Sequence, residues 1–473
     1  ISFSEAAIKG ELAFAFTGAA SAYPGMGNEL FLSLPHLNRQ LAERMPAAAR
    51  AMQTAFDNDN GDHGLPFYQL AGSSYLCQLH ARIGQDLLGL EPTVALGLSS
   101  GETNSMFAFG VWKEMDSLLE DIDETELYRS ALSDRYTSVQ EAWGMDEGEA
   151  VQWVSLRVLA SVEDIARAID EEPHAYLTII QSDNDAVIGG DPGACEAVLA
   201  KLGNPETVPL NHDLAVHSPV VEPFEPVWRK LHTRRTSTTD GVRFYSSFHK
   251  GAYKPTRKSV ADALTGQALE TIDFRTIVES AWEDGVRAFV EQGPRNSLSS
   301  AIDSILGDRP HLAVSMDHSS VPSMTQLYRT AATLWSHGIG VDLSKLRCNL
   351  VNEEEAAPSA SIAFDLRLAP IMAQRSSFQS TPEIYRPPAH QAGPAEGRLI
   401  PMAPALARTV PEVQGLQPPP IHHQVFKPTS SVIAVPEKPK PKSKPKPSPK
   451  SEDAVSPPSP GTTEIRRDEI PLA

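Results

Sequence analysis

Along the first 350 residues, short runs of β-prone apolar residues alternate with stretches whose apolar positions recur every three or four residues. ELAFAFTG (11–18), TVALGL (93–98) and RAFVEQG (287–293) have the length and near-continuous apolar character of strands buried on both faces. VEDIARAIDE (162–171) and ACEAVLAKL (194–202) carry the helical period. The alternation predicts an α/β domain built on a mainly parallel sheet. Within it, Thr93 to Leu96 reads as a strand and Glu102 to Phe109 as the start of a helix. After about Leu350 the rhythm stops. SIAFDLRLAPIM (361–372) reads as a strap lying back on the domain, and EKPKPKSKPKPSPKSEDAVSPPSP (437–460) as a disordered, extended, semi-rigid spacer with almost nothing to bury. Its lysines read as solvated linker charges. No internal repeat is found.

Charge and cysteine content narrow the function classes. Across 473 residues, 41 Lys and Arg stand against 60 Asp and Glu, a net charge of −19. That is the wrong sign for a protein that binds phosphate backbones by counterion release, so nucleic acid is not an expected partner. No apolar run approaches the roughly 20 residues of a membrane span, and the opening ISFSEAAIKGELAF lacks the pattern of a signal peptide. These features point to a cytoplasmic protein without a membrane partner. Cys77, Cys195 and Cys348 are odd in number and widely spaced, so neither a disulfide framework nor a metal site is expected. Cys77, inside the helical pattern LAGSSYLCQLHARIG, reads as a buried thiol. The chain starts at Ile1 without a methionine and reads as a piece of a longer polypeptide.

The stretch VALGLSSGETN (94–104) holds the strongest chemical signal. A G-x-S-x-G frame fits only Ser99, flanked by Gly97 and Gly101; centring it on Ser100 would require glycine at Leu98 and Glu102. A strand turning sharply into a helix strains its central residue and leaves no room for neighbouring side chains, which explains the glycines. The turn would lift the Ser99 hydroxyl to a helix N-terminus, with the next amide aimed at a developing oxyanion. Ser100 is therefore expected to contribute its backbone and not its hydroxyl. A serine needs a base to take its proton, and LNHDLAVHSPVVEP offers His217 and, as its rival, His212, the latter expected as a surface or loop residue.

GLSSGE resembles the GHSxGE signature of the malonyl-CoA:acyl-carrier-protein transacylase family, the acyltransferase domains of type I polyketide and fatty acid synthases. The similarity runs in order through AFAFTGAASAYPGMGNEL, LNHDLAVHSPVVEP, DAVIGGDPGACEAVLAKL and FVEQGPRNSLSSAI. Leu98 in place of the signature histidine is similar to variants in polyunsaturated-fatty-acid-type synthases. The resemblance implies a large α/β-hydrolase-like subdomain with a small inserted ferredoxin-like subdomain. It places an acyltransferase domain at 1–349 with the insertion at about 151–213; the composition beyond it reads as a strap at 350–400 and a disordered linker at 401–473.

The resemblance also implies a mechanism. Ser99 takes an acyl unit, malonyl first, from CoA and passes it to the phosphopantetheine thiol of an acyl carrier protein. His217 is the base, oriented by the backbone carbonyl of Gln267, and the oxyanion amides are those of Ser100 and Ala19. Ala19 and Ala22 replace the usual glutamines of that loop, leaving Gln69 to carry more of the polar network. Leu98 and Val216 flank the substrate, and Arg129, or failing it Arg135, would grip a malonyl carboxylate. Without such a clamp an uncharged acyl group would be preferred. Partners would be acyl-CoA, a carrier protein and neighbouring synthase domains, with no cofactor or metal. A serine thioesterase or hydrolase, and a catalytically silent docking domain, remain as alternatives.

Overall fold

A computed structural model describes residues 7–56, 66–146, 149–210, 212 and 214–345; the expected strap, the Pro-rich linker and Cys348 lie outside these residues. In chain order, β1 (Glu11–Phe16) is followed by a long buried helix, α1 (Pro66–Arg82). Next come β2 (Val94–Gly97), α2 (Ser100–Ala108) and α3 (Met115–Glu124). A second block holds β3 (Val154–Val158), α4 (Val162–Ile169), β4 (Ala175–Ser182), β5 (Asp185–Gly190), α5 (Pro192–Lys201) and β6 (Thr207–Pro209). The chain then returns through β7 (Arg243–Ser246), β8 (Gly251–Tyr253), α6 (Arg257–Leu269), β9 (Ile272–Asp273), β10 (Val286–Gln292), α7 (Ser297–Leu306) and β11 (Leu312–Ser315).

Two sheets result. The larger has the order β11-β10-β1-β2-β7-β8 and is parallel except at the β7–β8 edge. The smaller has the order β6-β3-β5-β4-β9; its βαββαβ succession and antiparallel pairing are ferredoxin-like, with β9 added in parallel from the larger block. This is the expected class: a mainly parallel α/β body carrying a small inserted sheet. Among the described residues, no helix is long and apolar enough to cross a membrane.

β1 explains why the larger sheet is buried on both faces. Ala13, Phe14, Ala15 and Phe16 are fully inaccessible, and their alternation sends Phe14 and Phe16 into one cluster, Ala13 and Ala15 into the other. Cys77 of α1 packs in the first cluster as a free thiol, pushed by burial up to about 12 and therefore inert.

Because β1 and β2 are parallel neighbours, their C-terminal ends emerge side by side, at the edge where open α/β sheets hold their ligands. The turn from β2 into α2 is possible only with glycines. A methyl group on Gly97 would lie 2.2 Å from the Gly101 carbonyl carbon, and one on Gly101 would lie 2.0 Å from the Phe16 carbonyl oxygen of β1. That oxygen already accepts the Leu98 amide at 3.0 Å, so neither strand can retreat without breaking the sheet. Gly101→Ala should therefore lower stability by about 1–3 kcal/mol through overpacking, read as a fall in thermal midpoint. Gly340→Ala, where nothing lies within 4 Å, should leave the midpoint unchanged.

Candidate functional site

Ser99 sits at the elbow with φ 56° and ψ −126°, a conformation that side-chain-bearing residues rarely adopt. Its Oγ lies 2.8 Å from Nε2 of His217. His217 is also held at positive φ, 62°, on the segment that returns from the small sheet. Its amide donates to the Ala268 carbonyl at 2.8 Å, which pins that segment to the end of α6.

The tautomer follows from the partners. His217 Nδ1 lies 2.5 Å from the Gln267 backbone oxygen, which can only accept, so Nδ1 carries the proton and Nε2 is free to take one from Ser99. Gln267 acts twice: its side-chain Nε2 donates to the Ser99 carbonyl at 3.3 Å. No carboxylate is among the hydrogen-bond partners of His217 in the described residues. Burial pushes the imidazole down to about 4, against an upward pull from the Gln267 carbonyl, so His217 is neutral at physiological pH.

Two cavities meet at this pair. A narrow chamber with about 40 Å³ of free space runs inward from Ser99 between α2 and α3, past Phe107, Met115, Leu118, Leu119 and Ile122. A wider cleft lies between the larger body and the small sheet, where Ala19, Leu98 and Val216 meet Ser155 and Arg157 of β3. Val216 and Leu98 are both buried; Val216 lines both spaces and Leu98 the cleft. Glu102, the acid of the signature, is turned inward, fully buried, and accepts the Tyr253 hydroxyl at 3.3 Å. Desolvation raises its carboxyl to about 8, partly offset by hydrogen bonds from Ser246 and Tyr253, and so it ties α2 to β7 and β8. Among the described residues no group of three or more His, Cys, Asp or Glu could hold a metal ion.

Two sequence expectations change, the arginine clamp and the idle Ser100 hydroxyl, and a third, His212, is refined. Arg129 does not line either cavity; its half-exposed guanidinium pairs with Asp123 at 2.6 Å and lies over the Phe67 ring. Arg135 is exposed and lines neither space. The cause is local: Leu127–Ala131 forms a wide π-type turn that faces Tyr128 inward and leaves Arg129 outward. His212 is a half-buried loop residue, as expected, but it faces inward. It lines both cavities, and its Nδ1 donates to Oε1 of buried Gln69 at 2.6 Å. Burial, and then the neighbouring His217, hold its imidazole down to about 4. The Ser100 hydroxyl is engaged as well: it accepts the Ala19 amide at 3.0 Å.

Sequence reasoning missed the chamber wall altogether. Met115, Leu118, Leu119 and Ile122 stand at helical spacing, which marks an inward face without saying that the face borders a cavity.

No profile of a known protein family matches the chain. The acyltransferase domain from module 8 of the salinomycin polyketide synthase aligns with a TM-score of 0.61 and 19% identity, over 72% of this chain and 78% of that one. The fold is that of the acyltransferase domains. Malonyl-CoA:acyl carrier protein transacylase of Helicobacter pylori aligns with a TM-score of 0.56 and 18% identity, over 69% of this chain and 99% of that one. In sequence, the chain is 29% identical over 273 residues, 54% of its length, to a polyunsaturated fatty acid synthase protein of Thraustochytrium sp.. It is 24% identical over 384 residues to a non-reducing polyketide synthase of Aspergillus terreus. The matched regions are 13% and 16% of those proteins, so this acyltransferase fold corresponds to a small part of each.

A neutral, buried imidazole hydrogen-bonded to Ser99 has a pH signature. Reaction of Ser99 with a fluorophosphonate should be level from pH 8 down to about 5 and fall as His217 protonates near 4. An acid limb centred near 6.5, the value of a solvated imidazole, would show that His217 is not the base or is not buried as described.

Proposed function

We infer that the chain is an acyltransferase domain that moves an acyl unit from CoA to Ser99 and on to the phosphopantetheine thiol of an acyl carrier protein. The observation that carries this reading is the Ser99–His217 hydrogen bond of 2.8 Å with the histidine oriented by a backbone carbonyl. His217 takes the Ser99 proton as the oxygen attacks the thioester, and returns it to the departing CoA thiolate. In the second half-reaction the same nitrogen takes the proton of the incoming pantetheine thiol as its sulfur attacks the acyl-serine, and returns it to Ser99 Oγ as the ester bond breaks. CoA and the pantetheine arm are substrates, and no cofactor enters the scheme.

Residues 1–349 form the catalytic unit in this proposal, with the insertion at about 151–213, in a cytoplasmic synthase that supplies the carrier domain. Acting as a linker, the Pro/Lys/Ser-rich segment 401–473 would raise the effective concentration of that carrier. The absence of a charged third partner on His217 within the described residues supports transfer over hydrolysis.

The relatives support malonyl as the transferred unit: one neighbour is named for malonyl-CoA, and another is an acyltransferase in complex with 2-(pent-4-yn-1-yl)malonyl. One observation favours a second reading. The chamber inward of Ser99 is lined by apolar and neutral polar side chains, with no Lys or Arg among its described lining residues. A carboxylate placed there would be desolvated without a counter-charge, whereas a short uncharged acyl group would not.

A donor comparison separates these readings. With a phosphopantetheinylated carrier protein, acyl-carrier and free acid are quantified from malonyl-CoA and acetyl-CoA. The expected product is acyl-carrier in excess of free acid, with Ser99→Ala inactive and His217→Ala slowed by about 100- to 10,000-fold. Arg129→Ala should leave the malonyl-to-acetyl ratio unchanged. Free acid as the main product would move the assignment to a thioesterase, and no turnover of either donor would move it to a docking domain.

A further inference from the structure

The oxyanion hole of this chain differs from two backbone amides converging on empty space. The Ala19 amide, one of the two donors that the acyltransferase reading requires, already donates to the Ser100 hydroxyl at 3.0 Å. Ala19 is buried at the start of a short 3₁₀ turn after β1, and Ser100 is the first residue of α2, so both groups stand on fixed backbone. Both line the chamber that Ser99 and His217 also line. A hydroxyl that accepts one hydrogen bond still has a proton to donate, and the Ser100 hydroxyl donates to none of the described residues.

We propose that the Ser100 hydroxyl is itself an oxyanion donor: it receives the Ala19 amide and passes that polarisation on through its own O–H to the carbonyl oxygen under attack. Ser100 then supplies two donors to one oxygen, its backbone N–H at the positive end of α2 and its side-chain O–H. Accepting the Ala19 hydrogen bond makes the hydroxyl a stronger donor, because hydrogen bonds in a chain polarise one another. The interaction strengthens as charge develops on the oxygen, so it acts on the transition state. No bond is made or broken at Ser100, and its proton stays on Oγ. The alternative geometry, in which the hydroxyl plugs the hole and must swing away, makes the opposite prediction for its removal.

This inference rests on the acyl-transfer reading for its biological meaning, and its test does not. A fluorophosphonate forms a tetrahedral adduct on an activated serine whatever acyl group the protein uses, so it probes nucleophile and oxyanion donors alone. Wild type, Ser100→Ala, Ser100→Thr and Ser100→Cys are compared by second-order rate of inactivation, with thermal midpoints measured beside them and His217→Ala as the unreactive control. Ser100→Ala should be slower by about 10- to 1,000-fold, in the range of losing one oxyanion donor, and Ser100→Thr should retain most of the rate. If Ser100→Ala does not fold, Ser100→Cys, isosteric with a weaker donor, is read the same way. An alanine or cysteine variant that reacts at the wild-type rate or faster overturns the proposal. A wild type that reacts with the fluorophosphonate but with no acyl-CoA would remove the acyl-transfer reading and leave the donor assignment standing.

Discussion

The approach of α2 to β1 is the constraint on which the site depends. Two glycines bring the first turn of α2 so near the end of β1 that a single methyl group would strike the Phe16 carbonyl at 2.0 Å. That closeness forces Ser99 into its positive-φ turn, places the Ser100 hydroxyl within hydrogen-bond reach of Ala19, and sets both loops along one edge of the sheet. The strain at Ser99 is held by the buried sheet behind it, since β1 and β2 pair along their whole overlap and lie in an inaccessible core.

The histidine beside Ser99 arrives from another part of the chain. After β6 the backbone returns to the larger body, and His217 docks on the end of α6 through Ala268 and Gln267. Immediately beyond α6, β9 pairs with β4 of the small sheet. The helix end that orients His217 is thus fixed to the same sheet that forms one wall of the cleft, so a shift of the small sheet would be felt at His217 as well as in the cleft.

Much of this was legible in the sequence because it is short-range. The elbow is a five-residue pattern whose glycines have a steric reason, and continuous apolar runs marked the strands of a sheet buried on both faces. His217 and Gln267 were legible through the resemblance, since nothing in local pattern brings residues 99, 217 and 267 together. What was not legible depends on side-chain direction. Arg129 lies at a plausible distance along the chain, but a π-type turn rotates it outward and faces Tyr128 inward. His212 is a loop histidine in sequence and structure alike, but only its partner Gln69 on α1 shows that it faces the site. The Ser100 side chain could not be assigned from spacing, because whether it meets Ala19 depends on the distance between two loops 81 residues apart.

The central claim is that one hydroxyl, at the strained turn, becomes covalently acylated with His217 as its base. Brief mixing with an acyl-CoA donor, acid quench, intact-mass measurement and peptide mapping test it most directly. A single acyl group on the peptide containing Ser99, localised to Ser99 by fragmentation and missing from the His217→Ala protein over the same interval, is the predicted result. An acyl group localised to Ser100 or Cys77, or equal acylation of Ser99 without His217, would contradict the account.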